Sequence, residues 1–458
     1  MNRFSVIVLL IAGCSVQPKY ERPAVELPEA WKQTAPRFAE DGRWWRIYED
    51  EVLEAFVEEG LKSNPDLRIA AARVDEARAL AAEARSFLLP TVDVQGSAAR
   101  DRISTATPLV PPGVPREISN YRATLNIAYE VDVFGRLRSG SDAAAAELAA
   151  NEAAREAVRL ALAAQLAQSY YALRSFEQQV ALTRQTLGLR EEALALQRKR
   201  RNAGVIGDFE LRQLEAEVAQ ARAQLPVLEQ AREREEVALQ LLLGRSPKLV
   251  YESAIQRVDT ADQKLLPAVI PDGMPSELLL RRPDLVEAER RLAAANARVG
   301  VARAELFPSI ALTGFLGSES ASLSNLFSSG AAVWQLAAAV TQPIFAGGRL
   351  EARTEAAQAR ERAALEQYLQ AVRTAFGEVR TALNAQARTR EAFEAETARA
   401  EALTETLRLA RLRYQSGIAS QLEVLDAERG LLDARRARIE ALRAHRAAVA
   451  DLFRALGG

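Results

Sequence analysis

Two hydrophobic periods run through this chain and take turns along it. In ATLNIAYEVDV, residues 123–133, Leu125, Ile127, Tyr129, Val131 and Val133 fall on one parity. Thr124, Asn126, Glu130 and Asp132 fall on the other. A period of two describes a β-strand with one apolar and one strongly polar face. Thr91-Val92-Asp93-Val94-Gln95 and Ser309-Ile310-Ala311-Leu312-Thr313 alternate in the same way. The pattern predicts strands over about 90–104, 119–134, 308–318 and 332–345. A Pro/Gly-rich stretch at 107–115 and a Ser-rich one at 317–325 read as the loops inside each strand pair.

Between the strands the vocabulary changes to Ala, Leu, Arg, Glu and Gln, the residues of long helices. From Arg136 to Asn202 there is no proline, and Gly140 and Gly188 are the interruptions. At ~1.5 Å per residue this predicts a helix of roughly 100 Å. Residues 349–415 repeat that length with Gly377 inside. Such helices are too long to form the core of a globule and must line up as a coiled coil or a barrel wall. Each turns back at a glycine-containing tip, Gly204-Val205-Ile206-Gly207 and Ser416-Gly417-Ile418-Ala419-Ser420. The return helices are predicted over about 208–243 and 421–456, with Pro226 expected to kink the first.

The chain is written twice. Asn64-Pro65-Asp66-Leu67 returns as Arg282-Pro283-Asp284-Leu285, and Phe134-Gly135-Arg136-Leu137 is answered by Gly347-Gly348-Arg349-Leu350. LQRKRRNAG at 196–204 matches LARLRYQSG at 409–417. Order and spacing hold, so this is a tandem duplication. The expected division is a leader over 1–13, an N-terminal segment over 14–62, a first repeat over 63–243, a linker over 244–283 and a second repeat over 284–458.

Composition and charge narrow the chemistry. Lys plus Arg number 60 against 61 acidic residues, so no basic surplus calls for nucleic acid. One cysteine and one histidine exclude a disulfide within the chain and leave no Cys/His zinc set. That cysteine ends a short apolar stretch after Arg3, and Ile11-Ala12-Gly13-Cys14 resembles a bacterial lipobox, whose cysteine becomes the acylated first residue. Ser15, rather than aspartate, follows it, which points to the outer membrane.

No further segment approaches ~18 consecutive apolar residues, so a membrane crossing would have to be made by strands. Open sheet edges in lipid leave backbone groups unpaired, and four strands fall short of the roughly eight of the smallest membrane barrels. Copies of the chain would therefore share one barrel, with Leu125, Ile127, Tyr129 and Val131 toward lipid. Asn126, Glu130 and Asp132 would then face a water-filled lumen. A soluble sheet with one solvated face fits the alternation equally. Phe87, Tyr121, Phe134, Trp334 and Phe345 near strand ends suit an interfacial girdle or an ordinary core.

Three blocks carry a family resemblance: WWRIYEDEVLEAFVEEGLKSNPDL at 44–67, PDGMPSELLLRRPDLVEAERRLAAANARVGVARAELFPSIALTGFLG at 271–317, and LRYQSGIASQLEVLDAERGLLDAR at 412–435. They resemble the TolC-like outer-membrane factors, in particular the lipoprotein branch that works with resistance-nodulation-division efflux pumps. The resemblance implies an α+β membrane protein. It further implies a homotrimer whose twelve-stranded outer-membrane barrel would continue into a long periplasmic helical barrel. A mixed equatorial belt would map onto about 15–60, 244–283 and the C-terminus. It implies a passive exit duct fed by an inner-membrane pump through a periplasmic adaptor, lipid-anchored at Cys14, with no cofactor besides that lipid.

Carried over position by position, Leu422 and Asp426 match the apolar and acidic rings of the periplasmic gate, and Arg413 and Tyr414 match its latch. Gly204, Val205, Gly207, Gly417 and Ile418 form the tips expected to meet the adaptor. Asp426 also reads as one more solvated helical residue, and the glycines as plain hairpin requirements. Nothing suggests catalysis or a metal site: His445 among alanines and arginines is expected at the surface, and Glu191-Glu192 and Glu235-Glu236 on exposed helix faces. Two alternatives stay open. One is a duct for type I protein secretion; the other is a periplasmic coiled-coil scaffold lipoprotein that never spans the membrane.

Overall fold

The computed structural model describes residues 16–28, 42–104, 116–252, 255, 265–266 and 277–458. Cys14, the leader over 1–13 and the 107–115 loop lie outside the described residues.

The elements run α1 (Glu51–Ser63), α2 (Pro65–Ser86), β1 (Thr91–Arg102), β2 (Glu117–Val131), α3 (Arg136–Asn202) and α4 (Asp208–Leu242). They continue with α5 (Pro247–Glu252), α6 (Leu278–Arg281), α7 (Pro283–Ala304), β3 (Ser309–Ser320), β4 (Ala332–Thr341), α8 (Arg349–Gln415) and α9 (Gln421–Leu456). The two long helices are 67 residues each, and α4 continues unbroken through Pro226. The Ser-rich stretch is more ordered than a loop. β3 extends to Ser320, and two short 3-10 turns, Leu323–Asn325 and Ser329–Ala331, lead into β4.

The chain forms two compact units. One contains residues 73–152 and 287–369 with a short N-terminal piece up to Ala24, and carries the sheet. Its strands follow the order β1-β2-β3-β4, every neighbouring pair antiparallel. Arg22 forms a bidentate pair with Glu289 (Nε to Oε1, 2.8 Å), and Arg298 pairs with Glu147 (3.0 Å).

The other unit contains residues 25–72, 153–286 and 370–458. Its core holds an aromatic cluster: Trp44 stacks on Phe453 (5.1 Å between ring centroids), and Tyr48 packs on Tyr171 (5.0 Å). Arg446 lies 4.6 Å over the Tyr171 ring. Burial deprives the Tyr48 and Tyr171 phenolates of water and pushes both hydroxyls well above the usual tyrosine range.

His445 belongs to this core, correcting its expected surface position: it is fully buried, with Nδ1 3.4 Å from the Thr389 hydroxyl. The reason is periodicity. Leu442, His445, Val449 and Leu452 share one helical stripe, all buried. Glu235 and Glu236 also depart from expectation. Each is half-buried and engaged, Glu235 accepting from the Ser169 hydroxyl (2.6 Å) and Glu236 from the Ile255 N–H (2.7 Å). Glu191 and Glu192 are exposed as expected.

The repeat motifs act as anchors. Asn64 Nδ2 donates to the Leu242 carbonyl (2.8 Å), while its Oδ1 caps α2 by accepting from the Asp66 N–H (2.8 Å). In the second half Arg282 stands in this place and donates from Nη1 to the Ala455 carbonyl (3.0 Å). Its other nitrogens reach Asp284 and Glu378. Both halves thus tie the start of a short helix to the last turn of a return helix. Gly244 and Gly457, with φ of +69° and +95°, end those return helices in the left-handed region.

Candidate functional site

The register sorts the sheet into two faces. Val92, Val94, Leu125, Ile127, Leu312, Leu316, Trp334, Leu336 and Val340 share one, since Val94 opposes Leu125, Leu125 opposes Leu316 and Leu316 opposes Trp334. That face is bare: Val94 is 81% exposed, and Trp334 and Leu336 are 79% exposed. Asp93, Gln95, Thr124, Asn126, Thr313 and Gln335 share the other face. Asn126 Nδ2 donates to the Asp93 carboxylate (2.9 Å) across the β1–β2 pair. Phe315 breaks the polar parity and is covered by the Arg122 guanidinium, 4.3 Å from the ring centroid.

The carboxylates expected along this polar face divide their roles. Glu130 remains in β2, held by Arg136 Nε (3.0 Å) and Nη2 (2.7 Å). Asp132 lies outside the strand, which ends at Val131. Its carboxylate accepts from the Leu137 N–H (3.0 Å) and the Arg138 N–H (2.9 Å), and its side chain is 10% exposed. Helix α3 begins with unsatisfied N–H groups, and a carboxylate there stabilises it both as acceptor and as counter-charge. Asp132 therefore caps a helix instead of continuing a strand.

The helix tips follow one plan. The Val205 N–H donates to the Arg200 carbonyl (2.9 Å) and the Ile418 N–H to the Arg413 carbonyl (2.9 Å). Gly204 and Gly417 sit at φ of +72° and +74°. This is a Schellman ending, in which the left-handed residue is glycine for steric reasons. Gly207 differs: it is an extended N-cap at φ −80°, the conformation Ser420 adopts at the matching position, so the turn does not require glycine there. Val205 and Ile418 project as exposed apolar side chains, 61% and 72% accessible.

Leu422 and Asp426 lie one turn apart on α9, both exposed. The other sides of α9 are packed: Leu425 joins Leu194, Leu211, Leu214 and Val218 of α3 and α4, while Ala427 and Leu431 join Leu407 and Ala410 of α8. Tyr414 links the two hairpins, its hydroxyl accepting from Arg200 Nη1 (3.1 Å) and Gln197 Nε2 (3.4 Å) on α3. Arg413 instead pairs with Glu423 (3.2 Å) across its own hairpin.

A buried charge cluster beside these residues was missed from sequence. Glu217 of α4 has a side chain 3% exposed and pairs with Arg190 of α3 (2.8 Å), itself 5% exposed. It also accepts from Arg429 Nε of α9 (2.6 Å), and Arg429 reaches Asp426 at 3.4 Å. The signal was present in the repeat. Aligned at Gly204 and Gly417, Arg190 and Glu217 fall opposite Leu403 and Gly430. The first half carries an ion pair where the second has an apolar contact.

A sheet with a bare apolar face, joined in one chain to paired long helical hairpins, defines a class: the membrane channels with helical hairpins. Relatives sharpen it. The chain is 37% identical over 459 residues to outer membrane protein OprJ of Pseudomonas aeruginosa, spanning 99% of this chain and 94% of OprJ. It is 33% identical over 463 residues to the toluene efflux pump outer membrane protein TtgC of Pseudomonas putida, spanning 99% and 94%. Among solved structures, the CmeC outer membrane channel of Campylobacter jejuni superposes with a TM-score of 0.90 at 27% identity, covering 97% of this chain and 95% of that one. The outer membrane efflux protein family matches residues 56–245 and 274–458, and the chain belongs to it.

Proposed function

We propose that this chain is the outer-membrane channel of a tripartite efflux system, a passive duct for small toxic compounds. The toluene efflux name of one relative favours small apolar organic molecules as cargo. The observation that carries this reading is the bare apolar sheet face, with β1 and β4 as unpaired edges. Both features are costly in water, and both are resolved in lipid when copies pair edge to edge. Three copies then close a twelve-stranded barrel with Asn126 and Glu130 toward its lumen. An acyl chain on Cys14 adds an anchor in the same membrane.

In this assembly a periplasmic adaptor docks on the tips at Gly204, Val205, Gly207, Gly417 and Ile418. A resistance-nodulation-division pump in the inner membrane supplies the cargo, and the chain itself performs no catalysis. Leu422 and Asp426 from three chains form the constriction, where a carboxylate ring favours cations and repels itself. The Tyr414 bridge and the Arg413–Glu423 pair hold the helix ends against that repulsion. Single-channel conductance in planar bilayers, with the particle mass measured in parallel, tests the whole reading. A trimer with a narrow pore that widens in Leu422→Ala/Asp426→Ala supports it. A monomer without conductance, or a pore unaffected by both substitutions, overturns it.

A further inference from the structure

The apolar face of the sheet stops at a definite row, and the rows beyond it are charged. Between the row of Val131, Ile310 and Val340 and the row of Ala98, Tyr121 and Ser320, that face carries no Asp, Glu, Lys or Arg. The next two rows set Arg100 opposite Ser119 and Arg102 opposite Glu117. From Val131 to Tyr121 the strand runs about 34 Å, or about 26 Å of depth at a ~40° tilt, which matches the ~25 Å apolar band of a membrane barrel. Tyr121 thus marks the edge of the hydrocarbon, with Arg100 and Arg102 about 5 and 10 Å past it. Helices α2, α3, α7 and α8 join the sheet at the opposite end, at Thr91, Val131, Ser309 and Thr341. With those helices in the periplasm, the reading on which this inference rests, the two arginines stand at the outer leaflet.

The charges at this end sort by face. Arg100 Nη2 donates to Glu117 Oε2 (2.8 Å), and both side chains are exposed. Arg102 is exposed and pairs with no acid among the described residues. The Arg116 guanidinium turns onto the Ser104 carbonyl (3.2 Å). Asp101, Arg122 and Glu319 belong to the inward face, where Glu319 accepts from Asn120 (2.9 Å) and lies 3.9 Å from Arg122. Residues 103–115 and 321–331 carry no charge. Neither does β4, the edge that a neighbouring copy lays along β1, so assembly brings no further acid to these arginines. The outward side is left with two guanidinium groups against one carboxylate.

We propose that Arg100 and Arg102 bind the phosphate-bearing head group of an outer-leaflet lipid. A guanidinium offers phosphate two parallel N–H donors and stays charged at any working pH. The two arginines project the same way from alternate positions of β1, about 7 Å apart along the strand, so one phosphate group can take both. The acyl chains of that lipid then lie along the face of Val94 and Leu125, and one continuous surface binds head group and chains. Glu117 works against the phosphate, because it occupies Arg100 and repels the arriving anion.

The test uses the full chain in a neutral detergent, with bound lipids counted on the intact oligomer by native mass spectrometry. Phosphatidic acid is the probe, and phosphatidylcholine with the same chains is its zwitterionic control. The unaltered protein is expected to take phosphatidic acid in preference. That preference should fall about fivefold in Arg102→Gln, the share of one arginine beside an anionic lipid. It should rise in Glu117→Gln and stay unchanged in Arg122→Gln, an inward-facing arginine near the same end. A role confined to sheet packing would not move the first two variants in opposite directions, and the oligomer mass in each spectrum verifies assembly. Equal uptake of the two lipids, or one preference shared by every variant, overturns the proposal and leaves the membrane reading standing. Uptake of neither lipid overturns both.

Discussion

Gly317 sits opposite Thr124 in the β2–β3 pairing, and a Cβ placed on it would lie 2.1 Å from the Ala123 carbonyl oxygen. Those are backbone atoms of the neighbouring strand, which can yield only by opening the ladder. Gly317→Ala is therefore expected to cost about 1–3 kcal/mol, read as a lower unfolding temperature of the purified protein. Gly96 in β1 has nothing within 4 Å of its Cβ position, so Gly96→Ala should leave that temperature nearly unchanged. His445 makes a pH prediction. Burial, with Arg390 and Arg446 nearby, lowers its pKa below the usual 6.5; contacts at the Leu266 and Gln386 backbone oppose this without reversing it. The folded state thus prefers the neutral ring. Its contribution is complete above pH 6.5 and is lost as the pH falls below that value toward the folded pKa. Unfolding temperatures at pH 8 and pH 5 should differ more in the natural protein than in His445→Phe. Equal differences would refute the assignment. This residue shows what sequence concealed: its neighbours Ala444 and Arg446 suggest a surface, while the Leu442/Val449/Leu452 stripe that buries it requires the helix phase.

At the scale of elements the duplication made most of the fold legible. Expected helices at 136–202 and 349–415 run Arg136–Asn202 and Arg349–Gln415, because glycine and proline punctuate both ends of otherwise uninterrupted helix formers. What the duplication hid is where the halves differ. The NPDL and RPDL motifs look like one signal, yet Asn64 caps a helix with its amide while Arg282 reaches two carboxylates and a carbonyl. The Arg190–Glu217 pair exists in one half alone, so comparing the repeats marks the two positions but not the contact they make. Removing one member of a buried pair strands the other charge at about 3–5 kcal/mol, and Glu217→Ala should destabilise by that order in chemical denaturation. Arg190→Leu/Glu217→Gly, copying the second half, should recover most of the loss, since Arg429 is half-exposed and water replaces its partner. A double variant no better than the single would mean the pair is indispensable to packing.

For the whole molecule, the decisive feature is a sheet that a lone chain cannot satisfy. Strand alternation was readable in ATLNIAYEVDV, but only the register shows four strands contributing to the same two faces, with Val94, Leu125, Leu316 and Trp334 in one row. Asp132 escaped that logic because helix capping and strand alternation place an acid at the same position, and the needs of α3 prevailed. The membrane reading makes a sharp demand on adjacent residues of β1. Val94 and Gln95 share backbone geometry and exposure, but they point to opposite faces. In a soluble sheet, arginine at either position meets water and changes little. In a barrel, Val94→Arg places a cation against hydrocarbon at ~2–4 kcal/mol near mid-depth, multiplied by every copy, whereas Gln95→Arg faces a wet lumen. The expected outcome is that Val94→Arg sharply reduces the heat-resistant oligomer recovered from outer membranes. Gln95→Arg should assemble normally and alter only ion selectivity in conductance traces. Equal recovery of the two variants would remove lipid from the apolar face and leave it to be covered by protein.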